Sequence, residues 1–301
     1  MGLSNKTIVI TGASKGLGRE TALLLCRGNP NLILAARTES LLEQTQREID
    51  SLSGRKPLII PCDISNETDV NRMSEIIQTN FHHIDVLINN AGVGIHKISE
   101  EMSNEEMRKQ FEVNFYGPFY VIKALLPLLK RSDSAYILNI GSLTSEIPFA
   151  DNSVYAATKS ALMVFSDGLH LEMKKFNIKV GLFLPGLINT SFQYDREHEI
   201  KAPSFLILNS RKVALKLGKM IYRTRRKVYM YRWMFLLMTD VPSLRYLFSQ
   251  DNLLLFLWFS SILQFLSTDY SYSEVRESLW QGNPCCFQQL CIYSLRNRDM
   301  M

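Results

Sequence analysis

The stretch "VITGASKGLGRE", residues 9–20, decides the fold. A β-branched apolar run, "TIVIT" (7–11), stops at Gly12; Gly16 and Gly18 follow, and an apolar-periodic segment begins. That order reads as a strand, a tight turn and the first turn of a helix. The glycine spacing is G-x-x-x-G-x-G rather than the G-x-G-x-x-G dinucleotide fingerprint, but the physics is shared. Glycine takes positive φ without steric cost and leaves room for a phosphate beside the backbone. The helix start adds unpaired N–H groups and a partial positive charge. Gly12, Ser14, Lys15, Gly16, Leu17 and Gly18 are therefore candidate phosphate contacts.

The strand-like pattern recurs at "LILAA" (32–36), "PLIIP" (57–61), "IDVLIN" (84–89), "AYILNI" (135–140) and "KVGLFLP" (179–185). Runs this short and continuously apolar suit strands covered on both faces. Amphipathic stretches lie between them, among them 39–52 and 104–130. The alternation predicts an α/β fold, a parallel sheet with helices on both faces. After Pro185–Gly186 the rhythm loosens, and 187–205 reads as a long mobile loop. A helix pattern returns at 210–223, with Ser210 expected as its N-cap, and 227–233 reads as a last strand. The main domain is expected over 1–240, with 241–301 as a C-terminal extension covering the substrate.

The composition, 46% hydrophobic and 21% charged over 301 residues, excludes a disordered chain. Five cysteines without a C-x-x-C pair point to a reducing compartment. Five histidines show no metal spacing, so no metal is expected. The first strand begins at Thr7, which leaves no room before it for a signal peptide's apolar core. A cytoplasmic location is the expectation. The net charge of +5 is mild, yet ten Lys or Arg fall within 201–232, which holds no acid. A 14-residue apolar run follows at 253–266. It is shorter than the roughly 20 residues that a spanning helix needs. The basic stretch carries no recognisable nucleic-acid motif. Its Tyr222, Tyr229, Tyr231 and Trp233 suit a lipid–water boundary. Two readings stand for it: peripheral membrane contact, and a solvated helix face over core aromatics.

Other residues point to chemistry. The second apolar run ends "AAR" (35–37), where an acid would bind the ribose 2′-hydroxyl of NAD. Arg37, with Lys15 in the glycine turn, suits a 2′-phosphate instead, so NADP(H) is expected ahead of NAD(H). "NNAG" (89–92) puts Asn90, Ala91 and Gly92 at a strand's C-terminal end, where open α/β sheets bind ligands. Ser142 lies just past the fifth run, Tyr155 thirteen residues on, and Lys159 four beyond that. Positions i and i+4 share a helix face. Alone, such a pair is ordinary surface decoration. A phenol titrates near about 10, and a neighbouring ammonium favours its ionised form. Ser142 would hydrogen-bond the same substrate oxygen that Tyr155 protonates.

The glycine turn, "NNAG", Ser142, "YAATK" (155–159) and "PG" (185–186) occur in one order. On these motifs the chain resembles the short-chain dehydrogenase/reductase family over about residues 5–235. The resemblance implies a Rossmann-type doubly wound sheet and a catalytic set of Asn114, Ser142, Tyr155 and Lys159. It implies that Asn114, in "VNFYG", holds a water linking Lys159 to solvent, and that Lys159 also grips the cofactor ribose. Asp63 and Ile64, in "CDI", would meet adenine; Pro185, Gly186, Ile188 and Thr190 would line the nicotinamide side. The implied activity is NADP(H)-dependent hydride transfer to or from a carbonyl or secondary alcohol. Tyr155 would be the acid in reduction and the base in oxidation. A homo-oligomer, dimer or tetramer, is expected, and Phe192, Phe205 and Leu206 point to an apolar substrate. The other reading is a non-catalytic NADP(H)-sensing protein on the same fold, whose mark would be a lost Tyr155 or Lys159.

Overall fold

The computed structural model describes residues 2–148, 150–189, 194–195 and 207–230. Its elements are β1 (Thr7–Thr11), α1 (Gly16–Leu25), β2 (Asn31–Ala36), α2 (Glu39–Ser53), β3 (Leu58–Pro61), α3 (Glu67–Asn80), β4 (Val86–Asn89), β5 (Gly94–Ile95) and α4 (Asn104–Phe111). There follow α5 (Gly117–Leu129), β6 (Tyr136–Ile140), α6 (Ser153–Met173), β7 (Lys179–Leu184), β8 (Ile188–Asn189), β9 (Tyr194–Asp195), β10 (Leu208–Asn209), α7 (Ser210–Arg223) and β11 (Lys227–Tyr229). Seven strands form one parallel sheet in the order β11-β7-β6-β4-β1-β2-β3. The order reverses between β1 and β4, which opens a crevice beyond their carboxyl ends. This is the Rossmann-type doubly wound sheet that the motifs imply.

Alternate strand residues feed two cores. Ile8, Ile10, Leu34 and Ile88 pack with Leu25 of α1, Leu42 of α2 and Leu217 of α7. Val9, Ile33, Leu87 and Ile137 pack with Met73 of α3, Leu125 of α5 and Leu169 of α6. Burying one such side chain stabilises by about 1.5–3 kcal/mol. Both faces are dry, which is why the strands read as continuous apolar runs rather than alternating ones.

A buried carboxylate fastens the lower end of the sheet. Asp85 accepts from Lys6 Nζ at 2.8 Å, the Thr7 N–H at 2.9 Å and Ser132 Oγ at 3.0 Å, and His83 Nε2 lies 3.2 Å from it. Burial pushes its pKa up, but the bonds from Lys6, Thr7 and Ser132 outweigh burial and hold it below the usual value.

Two sequence expectations need correction. The cap of α7 is Asn209, not Ser210: Asn209 Oδ1 accepts from the Arg211 N–H at 2.9 Å, and Ser210 is already helical. Asn and Ser cap about equally well, so the sequence alone could not choose. The stretch 104–130 is broken by a π turn at Glu112–Tyr116. Pro118 has no N–H to give the carbonyl four residues back, that of Asn114, and the Gly117 N–H reaches Glu112 O instead. Of the segment 187–205, residues 187–189 and 194–195 are described: β8 pairs β10, and β9 pairs β5. Thr190, Phe192, Phe205, Leu206, Tyr231, Trp233 and all of 241–301 lie outside the described residues. Of the five cysteines, Cys26 and Cys62 are described, both free and buried; burial raises both thiols, that of Cys62 to about 12. Among the described residues, no helix is long and apolar enough to cross a membrane.

Candidate active site

The glycine turn follows β1 and leads into α1. Gly12 and Gly16 have φ of +65° and +58°, where a side chain is strained. A Cβ on Gly12 would stand 2.8 Å from Ala91 Cα, and one on Gly18 would overlap the Gly12 carbonyl oxygen. The Ala13 N–H reaches Ala35 O at 3.2 Å, tying the turn to the end of β2. Lys15 is the N-cap of α1, makes no side-chain cap bond, and no acid stands in the first turn. The first N–H groups of α1 thus lack a side-chain acceptor, and a pyrophosphate fits them. Lys15 and Arg37 are exposed, with no hydrogen-bond or ion-pair partner among the described residues. Ser14 is half-buried, whereas the Leu17 side chain belongs to the core, so Leu17 offers a ligand its backbone alone.

Asn90 is tied to the glycine turn through its side-chain amide. Its Nδ2 donates to Thr11 O at 3.0 Å and Gly12 O at 3.1 Å. Thr11 Oγ1 in return accepts from the N–H groups of Asn90 and Ala91, both at 3.1 Å. Asn90 therefore braces the glycine turn, with Ala91 and Gly92 half-buried beside it. Asp63 Oδ1 is engaged by Ser65, N–H at 3.0 Å and Oγ at 2.7 Å. Ile64 is buried in the core, with its side chain beside Gly117.

The catalytic candidates are joined through short polar links. Asn114 is fully buried; its Oδ1 accepts from the Val93 N–H at 2.9 Å, and its Nδ2 donates to Val93 O at 2.8 Å and Thr158 Oγ1 at 3.0 Å. Thr158 Oγ1 donates to Tyr155 O at 2.7 Å. Lys159 is buried, donates from Nζ to Ile140 O at 3.1 Å, and lies 5.9 Å from the Tyr155 ring centroid. Burial lowers its pKa to about 8. Ile140 ends β6, and Ser142 is the next residue but one. Ser142 Oγ accepts from Thr144 Oγ1 at 2.8 Å and the Thr144 N–H at 3.2 Å, which leaves its own proton to be donated. Pro185 O accepts from the Leu143 N–H at 2.8 Å, so the "PG" turn abuts the Ser142 turn. Gly186 and Ile188 are half-buried beyond it, Ile188 within β8.

Four contributors escaped the sequence reading: Thr11, Thr144, Thr158 and His96. The His96 ring stands 5.5 Å from that of Tyr155. The threonines gave a weak signal, a hydroxyl within three residues of a named motif, and such side chains bond nearby backbone wherever they stand.

A family model described as short chain dehydrogenase matches residues 6–201. An uncharacterized oxidoreductase of Staphylococcus saprophyticus is 34% identical over 192 residues, 62% of this chain and 76% of that protein. Dehydrogenase/reductase SDR family member 7B of Mus musculus is 35% identical over 193 residues, 63% of this chain and 59% of that protein. The match thus spans less than two thirds of the mouse relative's length. Among solved structures, an alcohol dehydrogenase from the archaeon Thermococcus sibiricus, complexed with 5-hydroxy-NADP, is 27% identical. Its TM-score is 0.69, covering 75% of this chain and 95% of that one.

Proposed function

Because the chain belongs to the short-chain dehydrogenase family, NAD(P)-dependent oxidoreductases acting on CH–OH and C=O groups, we propose that it uses NADP(H) to interconvert a carbonyl and a secondary alcohol on an apolar substrate. The observation that carries this reading is the polar chain from Asn114 through Thr158 to Tyr155, with Lys159 bridging to the Ser142 strand. A bound nicotinamide supplies or takes the hydride. The protein's own groups do the rest. The Tyr155 hydroxyl gives a proton to the substrate oxygen in reduction and takes one in oxidation. Ser142 donates its remaining proton to the same oxygen. The Lys159 ammonium, still mostly charged at neutral pH, favours ionisation of the phenol beside it. The Asn114 side chain is spent on Val93 and Thr158, so the relay water falls to its backbone carbonyl, which Pro118 deprives of an i+4 donor.

Lys15 and Arg37, exposed with no carboxylate at the end of β2, support NADP(H) over NAD(H). The glycine turn and the open start of α1 would hold the pyrophosphate. No observation favours the non-catalytic sensor, since Tyr155 and Lys159 are both in place. The test is NADPH consumption with a panel of aldehydes, ketones and steroid ketones. Tyr155→Phe should keep NADPH affinity and lose about 100-fold or more in turnover. Retention of most of the wild-type turnover by that variant would show the acid–base assignment to be wrong.

Two finer readings belong with this one. A homodimer is supported by the exposed Tyr116 in the π turn, Phe119 on α5, and Val164 and Leu171 on α6; a monomer in sedimentation equilibrium at micromolar concentration would exclude it. Peripheral attachment of a cytoplasmic protein is supported by α7, where exposed Arg211, Lys212, Lys219 and Arg223 surround exposed Leu215 and Tyr222. Failure to sediment with anionic vesicles at low salt would exclude that.

A further inference from the structure

Ser142 stands at the N-cap of a 3-10 turn, Leu143–Ser145, and Glu146 closes the turn with its N–H on Leu143 O at 3.2 Å. The Ser142 hydroxyl has local partners, both on Thr144, so its place in the site is the place of the turn. Two side-chain ties hold that turn from outside. From α6, Ser160 Oγ donates to Ser145 O at 2.6 Å. From β11, at the edge of the sheet, Lys227 Nζ and Tyr229 Oη both reach Glu146 Oε1, at 2.6 and 3.0 Å. Lys227 Nζ also lies 3.5 Å from Met163 Sδ on α6 and 5.3 Å from the Tyr229 ring centroid. The far end of β11 is itself anchored, because Lys216 Nζ of α7 donates to Tyr229 O at 2.7 Å and Met230 O at 3.1 Å.

The Glu146 side chain is 14% exposed and that of Lys227 26%, so this pair is largely out of water. Glu146 Oε2 is buried with no partner among the described residues. A pair so placed adds little stability over an apolar replacement, because desolvation offsets attraction. It does impose a direction: one carboxylate oxygen must face two donors fixed on a strand.

We propose that Glu146, Lys227 and Tyr229 are positioning residues, a clasp that holds the Ser142 turn in place against Tyr155 and makes the edge strand β11 a determinant of turnover. The inference rests on the proposed function for its catalytic consequence, though not for its structural one. Displacement of a reacting group by about 1 Å costs on the order of 100-fold in rate. Loosening the clasp therefore acts on kcat and spares the glycine turn, which follows β1 and lies across β7, β6 and β4 from β11.

The test uses the full chain with Lys227→Met, Glu146→Gln and Glu146→Ala. Hydrogen exchange in residues 141–147 should quicken about tenfold in Lys227→Met and Glu146→Ala, with the β1–α1 turn unchanged. On the best carbonyl of the panel, kcat should fall about tenfold in both, with NADPH affinity kept. Glu146→Gln, which retains a neutral acceptor, should be milder on both counts. In a Ser142→Ala background the clasp variants should cost nothing further, since no hydroxyl remains to misplace. Unchanged exchange at 141–147, or a loss of kcat that persists in full without the Ser142 hydroxyl, overturns the proposal. Wild-type protein inactive on the whole panel, yet with exchange that quickens as described, defeats the proposed function and leaves the clasp supported as a structural tie.

Discussion

Replacing Lys159 by methionine separates the desolvation of its ammonium from catalysis. The residue is 4% exposed, and its Nζ donates to the Ile140 carbonyl at 3.1 Å. Burial takes its pKa from an ordinary 10.5 to about 8. At about 1.4 kcal/mol per pH unit, that gap corresponds to roughly 3 kcal/mol of destabilisation carried by the folded, cofactor-free protein. The direction follows from which state holds the proton. Below about pH 8 both states hold it, and the folded state bears the whole cost. Between about 8 and 10.5 the unfolded chain keeps a proton that the folded one has shed, so stability rises with pH. Above 10.5 both are neutral and the cost is gone. Urea unfolding of wild type and Lys159→Met, measured from pH 7 to 10.5, reads the effect as a difference. Methionine leaves the Ile140 carbonyl short of a donor, but that cost does not vary with pH and cancels along the series. The advantage of the variant should shrink by roughly 3 kcal/mol across the window. A difference that stays flat would refute the reasoning, because it would mean that the ammonium keeps its water when the chain folds.

Two further perturbations probe the ends of the sheet. Arg37→Asp puts a carboxylate where the 2′-phosphate is expected and should move the preference from NADP(H) toward NAD(H) by about 10- to 100-fold. Equal affinities of the parent protein for the two cofactors in titration calorimetry would sink it. Asp85→Asn keeps an acceptor but loses the charge that pairs with Lys6, and should cost about 3 kcal/mol at neutral pH in urea unfolding. The folded pKa of Asp85 is depressed, so its contribution is full above the ordinary carboxylate value and disappears as pH falls through the folded one. The gap between wild type and variant should therefore close in acid. A cost below about 0.5 kcal/mol, or a gap that persists in acid, would show that the clamp is not what holds β1 to β4.

The strands were legible because both faces are dry, and a continuous apolar run has few other uses at that length. The four catalytic candidates were singled out by type and spacing, for chemistry restricts which residues can move a proton. What stayed hidden was whatever depends on partners far along the chain. Asn90 reads as a ligand contact, and the sequence does not show that its Nδ2 donates to Thr11 and Gly12, 79 and 78 residues away. Glu146 belongs to no motif, and meets Lys227 81 residues later. The break in the 104–130 helix could have been found, because Pro118 announces a missing donor in the sequence itself. The exchange of cap between Asn209 and Ser210 could not, since neighbouring residues of near-equal capping strength differ only in the backbone angle each adopts.

The lower clamp and the site are linked by register. In the parallel pair, Ile8 stands level with Val86, so the bond from the Thr7 N–H to Asp85 fixes which residue of β4 each residue of β1 faces. Carried up the strands, the same register lands Thr11 beside Asn90, where the hydroxyl collects the two N–H groups that set the "NNAG" turn. A slip of one residue would send that hydroxyl to the opposite face of the sheet and leave both N–H groups without it. Next along the sheet, Asn89 faces Asn139 and donates to its Oδ1 at 2.9 Å, while Asn139 donates to Ser166 Oγ on α6 at 2.8 Å. The helix that carries Tyr155 and Lys159 is thus keyed to the same register as the glycine turn. Polar residues inside an otherwise apolar sheet are costly unless paired, and here each pairing restricts the strands to one alignment. The proposed site, which would place a phenol, a serine hydroxyl and a phosphate cradle from three separate segments, needs that restriction, which apolar strand contacts alone supply weakly.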